Sequence, residues 1–363
     1  MAGYALLVSP NANRVYAEAA PALARAELLL LWERVTGGAL QDLRAERLGS
    51  VEYLLFEAPE ELSAQGLRVL SNLSSTLALF ARAGGALHPL ELSRMDRLDA
   101  DLLTIPRYAG KTNEAFTKLL LNVTLASTDQ APAFGTRSLR VLDPLCGRGT
   151  TLDQALTYGL DAAGVEIDRR DFEAYTAFIQ RWVKDKRLPH RAQLGKVKGH
   201  PRLALDLALD RAGLKEGRVQ RLAVVNASTL DLADLFPPRS FDALVADAPY
   251  GVQHGTTDAR GHLSRSPLEL VEEAAPLWRE ALRPGGALGL AWNVHVAPRG
   301  RVLAALAAGG LEVCDTPAYR AFAHRVDRSI LRDVVVARRA ADPASPGRGG
   351  GGGTRWSGGG SGS

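Results

Sequence analysis

The sequence predicts an α/β fold: a mostly parallel sheet wrapped by helices on both faces, with an antiparallel hairpin at one edge and a small α/β unit in front. Two observations predict it. From Leu139 onward, apolar strand-like runs alternate with helical segments, the pattern of a parallel sheet. The last two apolar runs, Leu311–Cys314 and Leu331–Ala337, have no convincing helix between them and so read as a hairpin.

Taken in order, residues 1–105 give a short strand at Tyr4–Val8 and an Ala/Leu-rich helix at Ala17–Val35, which ends near Gly37-Gly38. A strand at Val51–Phe56, a helix at Glu60–Ser71 and strands at Thr76–Arg82 and Leu87–Leu92 follow. In the second part, strands are expected at Leu139–Leu145, Ala162–Ile167, Arg221–Asn226, Ala243–Asp247 and Ala287–Trp292, and then the hairpin pair. Helices are expected at Thr151–Tyr158, Arg170–Lys184, Leu268–Leu282 and Arg301–Ala308. Residues 106–340 form the larger domain. Residues 341–363, rich in glycine, cannot bury enough apolar surface to offset chain entropy and are expected to be a disordered tail.

Composition excludes several classes. At 363 residues, two domains and a sizeable core are expected. Two cysteines, Cys146 and Cys314, rule out a disulfide scaffold and a four-thiolate zinc site, and no metal is expected. No apolar run approaches the length of a spanning helix, and Met1–Pro10 has no basic n-region, so a cytoplasmic protein without membrane contact is the expectation. The net charge of +4 is unevenly placed. Residues 1–105 hold nine Arg and no Lys against 13 acidic residues, whereas residues 181–202 hold eight basic residues and one acid, Asp185. That block lies in a long connection, residues 181–217, which suggests added function or disorder. Either a solvated face or a footprint for an acidic partner explains it.

In a parallel sheet, ligands bind at the carboxyl ends of the strands. Three segments meet that rim. In LRVLDPLCGRGTTL, a buried strand ends at Asp143-Pro144, Cys146 leads into a Gly147-Arg148-Gly149 turn, and a helix opens at Thr150-Thr151. Free amides at the helix start favour an anionic group, and Asp143 favours a cation, so a ligand carrying both a carboxylate and an ammonium suits the corner. An NAD site also begins with a glycine turn, but the third glycine of that fingerprint is missing and Asp143 would repel a pyrophosphate. Glu166, in GVEID, ends the next strand, where a carboxylate accepts ribose hydroxyls, with Asp168 as the alternative. The third segment, LVADAPYG, ends a buried strand with Asp247-Ala248-Pro249-Tyr250. His254 and His262 read as ordinary loop histidines, Cys146 as a packing residue, and Trp182 and Trp292 as core.

DPLCGRGT and DAPYG resemble the glycine loop and the D/N-P-P-Y motif of class I amino-methyltransferases. Residues 106–340 are similar to the tRNA guanosine-N2-methyltransferases of the THUMP-associated group. The resemblance includes Gly110–Ala126, the Leu282–Gly286 turn and His324–Arg339. It implies a seven-stranded Rossmann-like sheet and S-adenosylmethionine as cofactor. It places Thr112 and Phe116, on a helix flanking that pocket, among the cofactor-binding residues. At the third strand, where the family often carries an acid, this chain offers Asn226, Ala227 and Ser228. Ala248 stands where the family usually has proline, with its carbonyl still available. The N-terminal unit resembles only the ferredoxin-like piece that precedes THUMP, and its acidity is unusual for an RNA-gripping module.

The implied reaction is methylation of an exocyclic base amine, guanine N2 in tRNA. Asp247 and Ala248 act as acceptors, Pro249 stiffens the loop and Tyr250 stacks on the extruded base. Lys184, Lys186, Arg187, Arg191, Lys196 and Lys198 are the candidate phosphate contacts. The same chemistry on rRNA, or on adenine or cytosine of DNA, stays open, as does an inactive protein that binds the cofactor and RNA.

Overall fold

The computed structural model describes residues 1–11, 13–108, 110–248 and 266–341. The expected tail, Pro249, Tyr250, His254 and His262 lie outside the described residues.

The first sheet is built from β1 (Ala2–Val8), β2 (Gln41–Leu48), β3 (Val51–Ala58), β4 (Thr76–Ala83) and β5 (Ala86–Leu90) in the order β2-β3-β1-β4-β5. Its helices are α1 (Arg14–Thr36) and α2 (Ala64–Asn72). All its strand pairs are antiparallel. The β-α-β-β-α-β succession is that of ferredoxin-like units, with β5 added at one edge. Asn13 caps α1 by accepting from the Tyr16 amide, and left-handed Gly37 ends it. The second helix starts later than the expected Glu60 because Ser63 caps it, accepting from the Gly66 amide. Strand β2 is an addition to the expected set: QDLRAERL has no buried residue and pairs only with β3, so it carries no apolar alternation.

The second part runs α3 (Asp101–Thr104), α4 (Glu114–Ala126), β6 (Arg140–Asp143), α5 (Thr150–Thr157), β7 (Asp161–Glu166), α6 (Arg169–Asp185), β8 (His190–Val197) and β9 (His200–Leu207). It continues through α7 (Arg211–Glu216), β10 (Gln220–Asn226), α8 (Leu232–Leu235), β11 (Phe241–Asp247), α9 (Pro267–Ala281) and β12 (Leu282–Asn293). It ends with α10 (Arg299–Ala308), β13 (Glu312–Cys314), β14 (His324–Arg325) and β15 (Leu331–Arg338). The sheet order is β13-β15-β12-β11-β6-β7-β10-β9-β8, with β14 beside β15.

Each of the seven expected strands overlaps one of these, but the sheet has ten strands. Two of the additions come from the basic connection, which is an ordered hairpin rather than a disordered insertion. Leu203, Leu205 and Leu207 of β9 bury one face while β8 stays exposed. Strands β12, β11, β6, β7 and β10 are parallel, and β9, β8 and β15 run antiparallel to their neighbours.

Alternation within the strands feeds two cores. Val141, Val224, Val245 and Val334 face one way, Leu142, Val225, Leu244 and Val335 the other. The second face is covered by α8, α9 and α10. The first is covered by α4, α5 and α6, and its core runs on without a break through α1 into the N-terminal sheet. A buried polar cluster ties the same seam. Asn122 Nδ2 donates to Glu27 Oε1 at 2.7 Å and to the Asn72 carbonyl at 2.8 Å, while the Tyr158 hydroxyl donates to Asn122 Oδ1 at 3.0 Å. Burial raises the Glu27 pKa, and the Asn122 and Ser74 hydrogen bonds oppose the rise.

Candidate active site

The strand order reverses direction between β6 and β11: from β6 the chain proceeds outward to β7 and β10 on one side and returns to β11 on the other. That is the switch point where a parallel sheet opens a crevice at its carboxyl edge. Asp143 ends β6 and Asp247 ends β11, so the register of these adjacent strands brings both to the crevice.

Asp143 is 3% exposed and accepts from the Leu145 amide at 3.0 Å. Burial pushes its pKa up to about 7, with the neighbouring Asp247 and Glu166 carboxylates adding to the shift. A cation beside it would relieve that cost. Pro144 is buried in the turn that follows. Gly147 and Gly149 both hold positive φ. At Gly147 a Cβ would meet nothing within 4 Å, so the loop backbone presents an open face. At Gly149 it would strike the Tyr175 ring at 2.2 Å. Because Gly149 is the cap of α5 and brings no side chain, the amides at Thr150 and Thr151 begin the helix without a side-chain cap. The corner therefore offers a buried carboxylate and a bare helix start to a ligand bearing an ammonium and a carboxylate, as S-adenosylmethionine does.

Glu166 clasps the loop: Oε2 accepts from the Gly147 amide at 2.7 Å and Oε1 from the Asp168 amide at 2.6 Å. Burial raises its pKa, and those two amides oppose the rise. Asp168 is turned away to another task. Its Oδ1 caps α6, accepting from Arg170 and Asp171 amides, because a carboxylate at a helix start satisfies otherwise free N–H groups. Asn226 Nδ2 is committed to the Glu166 and Ile167 carbonyls, the Ala227 amide to the Glu166 carbonyl, and the Ser228 hydroxyl to the Leu230 amide. These three therefore build the ledge beside Glu166 through local bonds. Cys146 is buried next to Gly164, where an added Cβ would meet its Sγ at 2.7 Å, and burial pushes its thiol pKa well up. Its part is shape.

Thr112 and Phe116 stand elsewhere than expected. Thr112 Oγ1 donates to Asp247 Oδ2 at 2.6 Å, so it orients that carboxylate. Phe116 is fully buried, with the Arg332 guanidinium 4.2 Å from its ring centroid and His324 packed at 5.2 Å. Arg332 also lies 3.8 Å from Asp247 Oδ2. The Ala248 amide donates to the Ala291 carbonyl at 2.8 Å, which fixes the peptide that follows Asp247.

Sequence reasoning does not single out Tyr108, Arg332 or His324. The Tyr108 hydroxyl lies 2.9 Å from Thr150 Oγ1, and Arg148, paired with Asp171, covers the Tyr108 ring. Only the inclusion of His324–Arg339 in the resembling stretch points toward the other two. The basic block divides. Lys186 is paired with Asp99 and Asp101, which removes it from the phosphate-contact set, because two carboxylates already neutralise it. Lys184, Arg187, Arg191, Lys196 and Lys198 are exposed and form no ion pair among the described residues. Among those residues there is also no group of three or more His, Cys, Asp or Glu placed to hold a metal, and no helix long and apolar enough to cross a membrane.

Residues 115–280 match the family model described as UPF0020: RMKL-like, methyltransferase domain. No curated protein matches the chain. Among solved structures, the TehB-like SAM-dependent methyltransferase of Corynebacterium glutamicum is similar at 16% identity and TM-score 0.32, over 57% of this chain and 83% of that one. The N-methyltransferase NodS of Bradyrhizobium japonicum is similar at 13% identity and TM-score 0.37, over 62% and 94%. The 1,6-didemethyltoxoflavin-N1-methyltransferase of Burkholderia thailandensis, solved with S-adenosylhomocysteine, is similar at 15% identity and TM-score 0.36, over 63% and 80%. Likeness at this level says nothing about substrate. The family match covers β6, β7, β10 and β11 with the glycine loop and Asp247: this region is a methyltransferase domain, and S-adenosylmethionine is its cofactor.

Proposed function

We propose that the protein methylates an exocyclic base amine, guanine N2 in tRNA. The observation that carries this reading is the placement of Asp247: a carboxylate at the tip of β11, beside the glycine loop across the switch point, oriented by Thr112 and Arg332. The resemblance of DAPYG to the amino-methyltransferase motif supports an amine acceptor, and the exposed cations of β8 and its flanks support a nucleic acid.

An exocyclic amine is a poor nucleophile because its lone pair is delocalised into the ring. The Asp247 carboxylate and the Ala248 carbonyl accept its two N–H bonds, localise the lone pair and disperse the positive charge that develops. Asp247 then receives the released proton. Asp143 and the start of α5 fix the cofactor's amino-acid end, and Glu166 faces its ribose. The cofactor, when bound, supplies the electrophilic methyl group.

The test is Asp247→Ala, assayed for methyl transfer to RNA and for S-adenosylmethionine binding in the same preparation. Transfer should fall by about 10²–10³-fold, the size of effect seen when one preorganised group at a developing charge is removed. Binding should change by less than about threefold, since a carboxylate that acts on the cofactor only through screened charge is worth no more than ~0.6 kcal/mol. Transfer that survives the substitution contradicts the reading.

A further inference from the structure

A cavity of about 230 Å³ lies where the N-terminal helix meets the large sheet; its lining includes Asn13, Tyr16, Thr112, Asn113, His324 and Arg332. Two of its lining residues, Thr112 and Arg332, also reach Asp247 and so connect the cavity to that carboxylate. It is smaller than the roughly 300–1,000 Å³ of sites that take drug-sized ligands, and so suits one base edge.

His324 is 5% exposed, on β14, where its register partner is Arg332. Its ring is held between Phe116 at 5.2 Å and the edge of Tyr16 at 5.9 Å. Nδ1 lies 2.9 Å from the Phe322 carbonyl, and because a carbonyl only accepts, Nδ1 carries the proton. Nε2 is then the lone-pair nitrogen, and it is buried without a hydrogen-bond partner among the described residues. Burial lowers the pKa of the ring and Arg332 adds to the fall, against the opposing hydrogen bond to the Phe322 carbonyl and the charges of Asp247 and Asp333. His324 lines the cavity, and its Nε2 is a buried acceptor whose hydrogen-bonding capacity is unfilled among the described residues, a state that calls for a donor N–H.

We infer that His324 Nε2 reads the ring N–H that sits beside the target amine, and so selects guanine. This rests on the amine-methylation reading above. Guanine presents two adjacent donors on its pairing edge, the N2 amine and N1–H. Adenine and cytosine present their amine beside a bare ring nitrogen, which would meet the His324 lone pair in repulsion. Tyr16 and Asn13 come from the N-terminal unit, which thereby completes the base pocket rather than gripping RNA from a distance. A site built around a hydrogen bond rejects an analogue that lacks it far more strongly than an apolar pocket rejects a change of size.

The experiment compares matched oligoribonucleotides carrying guanine or 2-aminopurine at the target position; the latter keeps the 2-amine but has no N1–H. The wild-type protein should favour guanine by about 10²-fold or more in kcat/KM. His324→Ala should bring the two substrates toward parity by slowing guanine selectively, and His324→Gln, which restores an acceptor, should recover part of the preference. S-adenosylmethionine affinity and Tm, measured on each variant, separate this from misfolding. If the wild-type protein uses both bases alike, or the preference survives in His324→Ala, the inference is overturned and the Asp247 reading stands. Should either variant fail to fold, the wild-type comparison alone decides. Methylation of adenine or cytosine amines in place of guanine overturns both.

Discussion

The tips of β6, β7 and β11 and the seam between the two sheets are built on opposite principles. At the tips of β6 and β7 much of the positioning is local in sequence: Asp143 accepts from Leu145, Glu166 from Asp168, and the glycine loop is set by its backbone angles, whereas Asp247 at the tip of β11 is held by the distant Thr112. At the seam, partners lie far apart in sequence: Tyr16 against His324, Glu27 against Asn122, and Lys186 against Asp99 and Asp101. A local site survives as a readable motif, whereas a composite site exists only once the chain has folded. The proposed site draws on both, because Thr112 at the seam orients Asp247 at the rim.

The largest effect that sharpens this contrast is expected at Gly149. Gly149→Ala combines left-handed strain of about 1–2 kcal/mol with overpacking against Tyr175 of about 1–3 kcal/mol, visible as a lower denaturation midpoint. Gly147→Ala, which meets open space, should show only the strain. Equal losses at the two positions would mean that Tyr175 does not hold the loop.

At the seam, Asn122→Ala leaves the buried Glu27 carboxylate and the Asn72 carbonyl short of a donor, and should cost about 1–3 kcal/mol in chemical denaturation. A neutral result would mean that the two sheets are not coupled through this cluster.

Asp143 makes a prediction about pH. Its native pKa of about 7 lies above the ordinary carboxylate value, so between roughly pH 4 and 7 the cofactor-free native state holds a proton that the unfolded chain has released. Stability contributed by that proton is present below the ordinary value and is lost as pH rises through about 7; Asp143→Asn should remove this slope in thermal melts. Binding of a cationic cofactor requires the ionised form, so affinity should weaken by up to about tenfold per pH unit below about 7. Calorimetric titrations from acid to neutral pH read this directly, and a flat profile would remove Asp143 from the cofactor's cation.

The smallest effect is expected at the basic hairpin. Replacing Lys184, Arg187, Arg191, Lys196 and Lys198 with alanine should weaken RNA binding mainly at low salt, flattening the salt slope by about 0.7 for each phosphate no longer neutralised. Lys186→Ala should leave that slope unchanged, because its charge is spent on Asp99 and Asp101.

How much of the molecule is legible in its sequence follows from the same contrast. Asp143, Gly147, Gly149, Glu166 and Asp247 can be read because buried strands ending in carboxylates and glycines are local patterns. For Asp168, Thr112 and Phe116 the sequence indicates the neighbourhood but not the contacts that the structure shows, since a motif gives position along the chain and not the direction of a side chain. Strand β2 and hairpin strand β8 escape a reading of the sequence because exposed edge strands carry no apolar alternation. Tyr16 has no signal at all, and His324 has only its place in the resembling stretch, since nothing in the sequence records that β14 pairs with β15 beneath the start of α1.

The most direct test of the whole account is transfer of a labelled methyl group from S-adenosylmethionine to total RNA and DNA, followed by nucleoside analysis. Label is expected in N2-methylguanosine released from the tRNA fraction. Label found only on protein would contradict it.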